Sequence, residues 1–230
     1  MKINSKRMRK ITNIIKKKKI YNIEECITTL KKLSVLKFTE SIDVAINLNI
    51  NTKKSEQNIR NTVLLPNKLE KKNKILVFTK GKNIDLAKKA KADYIYQEGT
   101  KNIKKEIKKF NIVIASPDSM NIVGKLGHIL GPRGLMPNIK FGTLTNNIYN
   151  AIIKIKEGQI KYKSDKSGII HASIGKVNFT RKQIKENFLA FMKSLKQSKP
   201  TKIKGEFFKK IYFSTTMGGS IQINHSDLNI

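Results

Sequence analysis

The chain has 230 residues, 39% of them hydrophobic, and carries 48 Lys and Arg against 16 Asp and Glu, a net charge of +32. That length suits one large domain or two small ones, and no apolar run approaches the ~20 residues that a membrane helix needs. Charge of this size works against a compact state unless a polyanion relieves it, so the expected partner is nucleic acid and not a membrane surface.

All but five of the basic residues are lysines, and Lys, Asn and Ile dominate the sequence, so part of the charge reflects the base composition of the gene. The charge is nonetheless uneven. Residues 1–19 hold nine basic groups and no acid. They read as an arm or partial helix lying along phosphate, or as a solvated, frayed terminus. The segment lacks an apolar h-region and a small-residue cleavage site, so it is not a signal peptide, and a cytoplasmic protein fits best.

Asn22 can cap a helix, with Glu25 closing a capping box. Ile23, Cys26, Ile27, Leu30 and Leu33 then recur at helical spacing. Cys26 is the only cysteine, which excludes a disulfide framework, and its place on the apolar stripe makes it a buried core thiol. "SIDVAINLNI" (41–50) alternates strictly, with Ile42, Val44, Ile46, Leu48 and Ile50 on one face, and predicts a half-buried strand.

From about residue 67 the pattern changes. "KILVFT" (74–79) is a continuous apolar run, a strand buried on both faces. A helix at 84–91, a strand at 94–97, a helix at 102–109, a strand at 111–116 and a helix at about 118–130 follow. Alternation of this kind argues a small parallel sheet with covering helices. "GPRGLMPN" (131–138) then takes two glycines and two prolines from a chain holding 13 and 5. It follows a helix pattern and lacks the lysine-serine ending of a P-loop, so it is not a phosphate-cradling enzyme loop. A helix over 146–158 ends at Gly158.

Beyond Gly158, "QIKYK", "GIIHASIGKV", "EFFKKIYFSTT" and "SIQIN" look like antiparallel strands. Among them lies one long helix, 180–198, with a Thr180–Gln183 capping box and an apolar face of Ile184, Phe188, Leu189, Phe191, Met192 and Leu195. Each flank is small for an independent core. The economical architecture is therefore one α+β domain built from both flanks and interrupted by an inserted α/β domain. Two crossings, near Pro66 and Gly158, would join them, and a two-strand connection is a natural hinge.

Chemistry is sparse. His128, His171 and His225 are widely spaced and there is no Cys pair, so no zinc motif exists and no cofactor is implied. His171 reads as a satisfied structural histidine. Paired carboxylates and an activated nucleophile are missing, which weighs against a small α/β enzyme binding a nucleotide on the inserted domain. Two segments suit RNA better. In "LKFTES" (36–41) Lys37 can neutralise phosphate, while Phe38 either packs on a ribose or base or plugs the gap between helix and strand. In "STTMGGS" (214–220) hydroxyls and glycines suit close contact with 2′-OH groups, and Gly218-Gly219 equally suits the corner of a hairpin.

Several motifs in one order resemble a known family: "SKRMRK" (5–10), "LKFTESIDVAINLNI" (36–50), "KKSEQNIRNTVLLP" (53–66), "IASPDSM" (114–120), "LGPRGLMPN" (130–138), "SDKSGIIHASIGKVNF" (164–179), "KPTKIKG" (199–205) and "STTMGG" (214–219). The chain resembles the large-subunit ribosomal protein L-one family, the stalk protein beside the tRNA exit site. The resemblance implies a discontinuous RNA-binding α+β domain (1–66 and 159–230) with an inserted Rossmann-like α/β domain (67–158). It implies no enzyme and no cofactor, but a monomer within the ribosome that binds large-subunit ribosomal RNA, helps deacylated exit-site tRNA leave, and represses translation through an mRNA copy of its rRNA site. Carried over by motif, the RNA site is Lys37, Phe38, Ser41 and Asp43, with Lys166 and the turn Thr216, Met217 and Gly218. Lys37 and Lys166 would meet phosphate, Phe38 sugar or base, and Thr216 with the Gly218 backbone 2′-OH groups. "LGPRGLMPN" is a family hallmark and not the principal RNA contact. Two departures stand out: Ile139 follows Asn138 where the family usually has proline, and "NKLEKKNK" follows "LLP" in place of His-Gly and a Gly-rich link. The alternative to this family reading is a non-specific basic nucleic-acid-binding protein.

Overall fold

The computed structural model describes residues 6–15, 19–69, 73–81, 83–96, 107–201, 203 and 205–224. Gln97, most of the helix expected over 102–109, Lys2, Lys16 to Lys18 and His225 lie outside them. Among the described residues the chain is a mixed α/β structure with three sheets. It divides into two compact units, Met1–Leu69 with Ile160–Ile230, and Glu70–Gln159.

The first unit is organised by β1 (Ser41–Leu48), whose alternation of half-exposed and buried residues matches its sequence pattern. β1 lies between β7 (Ile169–Lys176) and β8 (Phe208–Thr215), and β9 (Ser220–Ile223) extends the sheet beyond β8, all antiparallel. A bulge in the β1–β7 ladder falls between Ile42 and Asp43, and on β7 it buries both Ile174 and Gly175 in succession. Helices α2 (Ile23–Leu33) and α7 (Arg181–Gln197) cover the apolar face. Their Cys26, Ile27, Leu30, Phe188, Phe191 and Met192 share one core with Ile42, Val44, Ile46 and Leu48. Phe188 meets Phe213 edge-on at 4.9 Å, and Phe191 meets Tyr162 at 5.2 Å.

Of the two expectations for the basic N-terminus, the described residues show the partial helix. That helix is α1 (Lys6–Ile14), and Ile11 and Ile15 enter the same core, leaving Lys6, Arg9 and Lys10 exposed. Asn22 occupies the N-cap of α2 in extended conformation, but its side chain makes no capping bond. Glu25 instead pairs with Lys19 at 3.4 Å. In α7 the capping box forms as expected between Thr180 and Gln183. Leu189, assigned to the apolar face, is 36% exposed, and the fully buried Asn187 takes a place on that face. Position 187 is three residues after Ile184 and four before Phe191, on the buried stripe, whereas 189 falls to its side. The amide of Asn187 is satisfied throughout: Nδ2 donates to the carbonyls of Asn67 (2.9 Å) and Ile174 (2.8 Å), and Oδ1 accepts the Asn67 N–H (2.8 Å). Asn67 is thus fastened to α7, and Leu69 packs on the core. This is why the first unit extends past Pro66 to Leu69. A two-stranded ribbon of β2 (Arg60–Leu64) and β6 (Gln159–Lys163) completes the unit.

In the second unit β3 (Ile75–Phe78) is buried along its whole length. It pairs in parallel with β4 (Tyr94–Tyr96) on one side and β5 (Ile112–Ala115) on the other. A parallel bridge from Ala115 to Leu144 continues beyond β5. The first strand is therefore central among the described strands. That order, with helices on both faces, is the flavodoxin-type arrangement of a doubly wound α/β sheet. Ile75 and Val77 face a cluster with α3 (Asn83–Lys89) and α6 (Ile148–Lys156), and Leu76 and Phe78 face another with α4 (Met120–Lys125) and α5 (Gly127–Leu130). The helix expected over 118–130 is broken at Leu126 (φ −97°, ψ 3°), between Gly124 and Gly127, two residues that weaken helix interiors. Gly134 takes φ +64°. Arg133 donates to the carbonyls of Ile107 (3.0 Å) and Lys108 (3.1 Å), so the hallmark loop spends its arginine on its own unit. Ile139, in the family's proline place, begins a 3₁₀ turn capped by the Asn138 side chain, which accepts the Lys140 N–H at 2.8 Å. Among the described residues no helix is long and apolar enough to cross a membrane.

Burial pushes the Cys26 thiol up to about 12. Its folded value lies above its unfolded one, so its stabilising contribution is complete below about pH 8.5 and is lost as pH rises toward the folded value. A thiol reagent at pH 8 is expected to leave the folded chain unlabelled and to react fully in urea; rapid labelling without denaturant would refute the burial. Asn187→Leu should lower the unfolding free energy by about 1–3 kcal/mol, because it strands the Asn67 and Ile174 backbone groups, and a urea melt measures it.

Candidate nucleic-acid interface

At the N-terminal end of β1 the chain passes from α2 through residues 34–40 into the sheet, and beside it the hairpin between β8 and β9 turns back. The two are joined reciprocally. The Ser41 N–H donates to Thr216 Oγ1 at 3.0 Å, and the Thr216 N–H donates to the Ser41 carbonyl at 3.2 Å. Thr216 Oγ1 has used one acceptor position, and its own proton is still available to a ligand. Ser41 and Asp43 lie on the half-exposed face of β1, opposite Ile42 and Val44, beside the bulge.

Lys37 is exposed, and Phe38 is 52% exposed. Phe38 is therefore not a plug between helix and strand, and its ring is free to meet a ligand. Met217 is 56% exposed. The turn itself is closely packed from below. A Cβ on Gly218 would lie 2.1 Å from Thr215 Oγ1, and one on Gly219 would lie 2.7 Å from Cδ1 of Ile15, just past the end of α1. A side chain at either place would have to displace the end of Thr215 or of Ile15. The hairpin corner and the candidate contact surface are the same residues.

Lys37, Phe38, Ser41, Asp43, Thr216, Met217 and Gly218 come together at this end. Lys166 does not. It lies on the turn between β6 and β7, and the register, Ser41 with Lys176 but Asn47 with Ile169, places that turn at the other end of β1. An eight-residue strand puts the two ends roughly 20 Å apart. Asp165 Oδ1 shapes the turn by accepting the Ser167 (2.9 Å) and Ile169 (2.8 Å) N–H groups, and Thr52 Oγ1 donates to the Lys166 carbonyl at 2.7 Å. His171 is neither buried nor alone: it is exposed on β7, with Nε2 3.9 Å from Asp165 Oδ2. Among the described residues no group of three His, Cys, Asp or Glu could hold a metal ion.

Sequence reasoning missed Glu40. It is fully buried. Its Oε1 accepts the Met217 N–H at 2.9 Å and lies 3.8 Å from Arg7 Nη2, and its Oε2 accepts from the Ser34 hydroxyl. The signal was present, since carrying the alternation of β1 one step back from Ile42 places residue 40 on the core face.

Comparison with known proteins agrees with these motifs. The model of the ribosomal protein L1p/L10e family matches residues 30–219. Over 231 residues the chain is 51% identical to the large ribosomal subunit protein uL1 of Buchnera aphidicola subsp. Acyrthosiphon pisum (strain Tuc7), covering 100% of both. It is 54% identical over 214 residues to the protein of that name from Buchnera aphidicola subsp. Cinara cedri, covering 93% of this chain and 95% of the other. To that of Aliivibrio fischeri it is 47% identical over 226 residues, covering 98% and 97%. The chain belongs to the ribosomal protein L1p/L10e family.

Proposed function

We propose that this chain is a non-enzymatic constituent of the large ribosomal subunit, cytoplasmic with the ribosome, that binds ribosomal RNA through the end of its first unit where β1 meets the β8–β9 turn. The observation that carries the reading is the joining of Ser41 to Thr216. It gathers a lysine, an exposed aromatic ring, a free hydroxyl proton and two close-packed glycines on one surface. These are groups suited to phosphate, to a base or ribose face and to 2′-OH groups. Full-length identity to proteins named for the large ribosomal subunit supports it.

The finer reading follows the family. The first unit acts as a discontinuous RNA-binding domain and the second as an inserted domain, with bounds a few residues from the 1–66, 159–230 and 67–158 that the motifs suggest. The first anchors the protein at the stalk near the tRNA exit site, where it assists release of deacylated tRNA. The same surface binds an mRNA copy of the rRNA site and represses translation. Lys166 belongs to this reading as a separate phosphate contact at the far end of β1.

The net charge supplies affinity for any RNA, so the test must measure discrimination. In competition at near-physiological salt, stalk-junction RNA is expected to hold the protein against excess unrelated structured RNA; free displacement would favour a non-specific basic protein. Thr216→Val or Met217→Ala should weaken specific binding by about 1–3 kcal/mol with the salt slope barely changed. Lys10→Ala should instead weaken binding to all RNAs alike, and identical behaviour of these variants across RNAs would remove the turn from the site. Gly218→Ala, which must displace Thr215, should cost about 1–3 kcal/mol in stability by thermal melt.

A further inference from the structure

We propose that Glu40 is a positioning residue for the RNA-contacting turn, a buried carboxylate that holds the Met217 amide so that Thr216, Met217 and Gly218 keep one shape before RNA arrives. The inference rests on the reading of that turn as part of the RNA site.

Four connections converge on Glu40. Its Oε1 takes the Met217 N–H, and its Oε2 takes the hydroxyl of Ser34, the C-cap of α2. Arg7 of α1 stands 3.8 Å from Oε1. The Glu40 carbonyl accepts the Val177 N–H at 3.0 Å, just past the end of β7. One side chain and its peptide thus link α1, α2, β7 and the β8–β9 turn.

Stability alone does not account for an acid here. Desolvating a carboxylate is costly, and a buried ion pair is often replaced by apolar residues of similar volume without loss. The compensation from Arg7 is loose, since Nη2 is itself buried and makes no hydrogen bond. What an apolar residue could not do is accept the Met217 N–H. Without that acceptor the turn would keep the Ser41–Thr216 pair and the Gly218 N–H to Thr215 carbonyl bond (3.1 Å), and Met217 between them would be unanchored. A loop held in its bound shape binds more tightly because less ordering remains to be done on binding.

The experiment uses the full chain with Glu40→Met, Glu40→Gln and Thr216→Val. Each is assayed for binding to stalk-junction RNA, to unrelated structured RNA and for salt slope, with a thermal melt of each. Glu40→Met should fold and bind the stalk RNA about tenfold more weakly, with unrelated-RNA binding and salt slope unchanged. Glu40→Gln keeps an oxygen acceptor and should stay within about threefold of wild type. Wild-type binding by Glu40→Met, or equal loss in both Glu40 variants, overturns the proposal. Should Glu40→Met not fold, amide exchange on the wild-type chain decides: a protected Met217 N–H supports the proposal, and exchange at the rate of an open loop overturns it. Thr216→Val separates the two ideas. Intact specific binding there sinks the site reading and this inference with it, whereas a loss there without one in Glu40→Met sinks the positioning role alone.

Discussion

Strand β1 sits at the centre of its sheet and has no neighbour from its own part of the chain. Both of its ladders are filled from beyond residue 168, by β7 on one edge and β8 on the other. A strand buried on one face with unpaired edges is not stable alone, so the N-terminal residues can form a core only with the C-terminal ones. Everything else in the first unit follows from that constraint. α2 and α7 come from opposite sides of the inserted segment to cover one sheet, and the candidate RNA surface is made from a link that precedes β1 and a turn that follows β8.

The division of labour on that surface is chemical. Lysine is abundant over the whole chain, and lysine on phosphate carries no sequence information. The groups able to discriminate are few and mostly neutral: one ring, one hydroxyl proton, and a turn whose glycines admit Thr215 and Ile15 to closer approach than any Cβ would allow. Closely packed neutral groups on a cationic surface would let a protein hold RNA in general and still prefer one RNA shape.

Much of this was legible in the sequence where one physical cause dominates. β1 shows its alternation because one face is buried along its whole length, and β3 shows an unbroken apolar run because both faces are. The box at Thr180 and Gln183 is local chemistry and formed as written. Illegibility has causes too. β2 buries only Val63 in "RNTVL", so no period marks it as a strand. Asn22 has the residue type of a cap, but Glu25 was drawn to Lys19. Leu189 and Asn187 exchanged roles because a hydrogen-bonded amide can occupy a core position that hydropathy assigns to leucine. Most of the candidate site was named through motifs, but motifs do not carry distance, and Lys166 lies a strand's length from the residues grouped with it. Glu40 was hidden by its charge, since acids are expected outside.

The placement of β1 bears on how the protein is made. A ribosome synthesising this chain releases the apolar edge of β1 early, yet one partner strand ends at Lys176 and the other at Thr215. Until those strands emerge the N-terminal segment has no sheet to join, and its exposed strand is a template for wrong pairing. The segment from Glu70 to Gln159 draws its three-stranded sheet from its own residues and can fold while the rest waits. The candidate RNA surface, which needs Thr216 against Ser41, forms only once β8 and the turn after it have emerged. A nascent chain has no such surface before β8 and its turn are made, so any binding through it waits on residues encoded beyond the inserted segment.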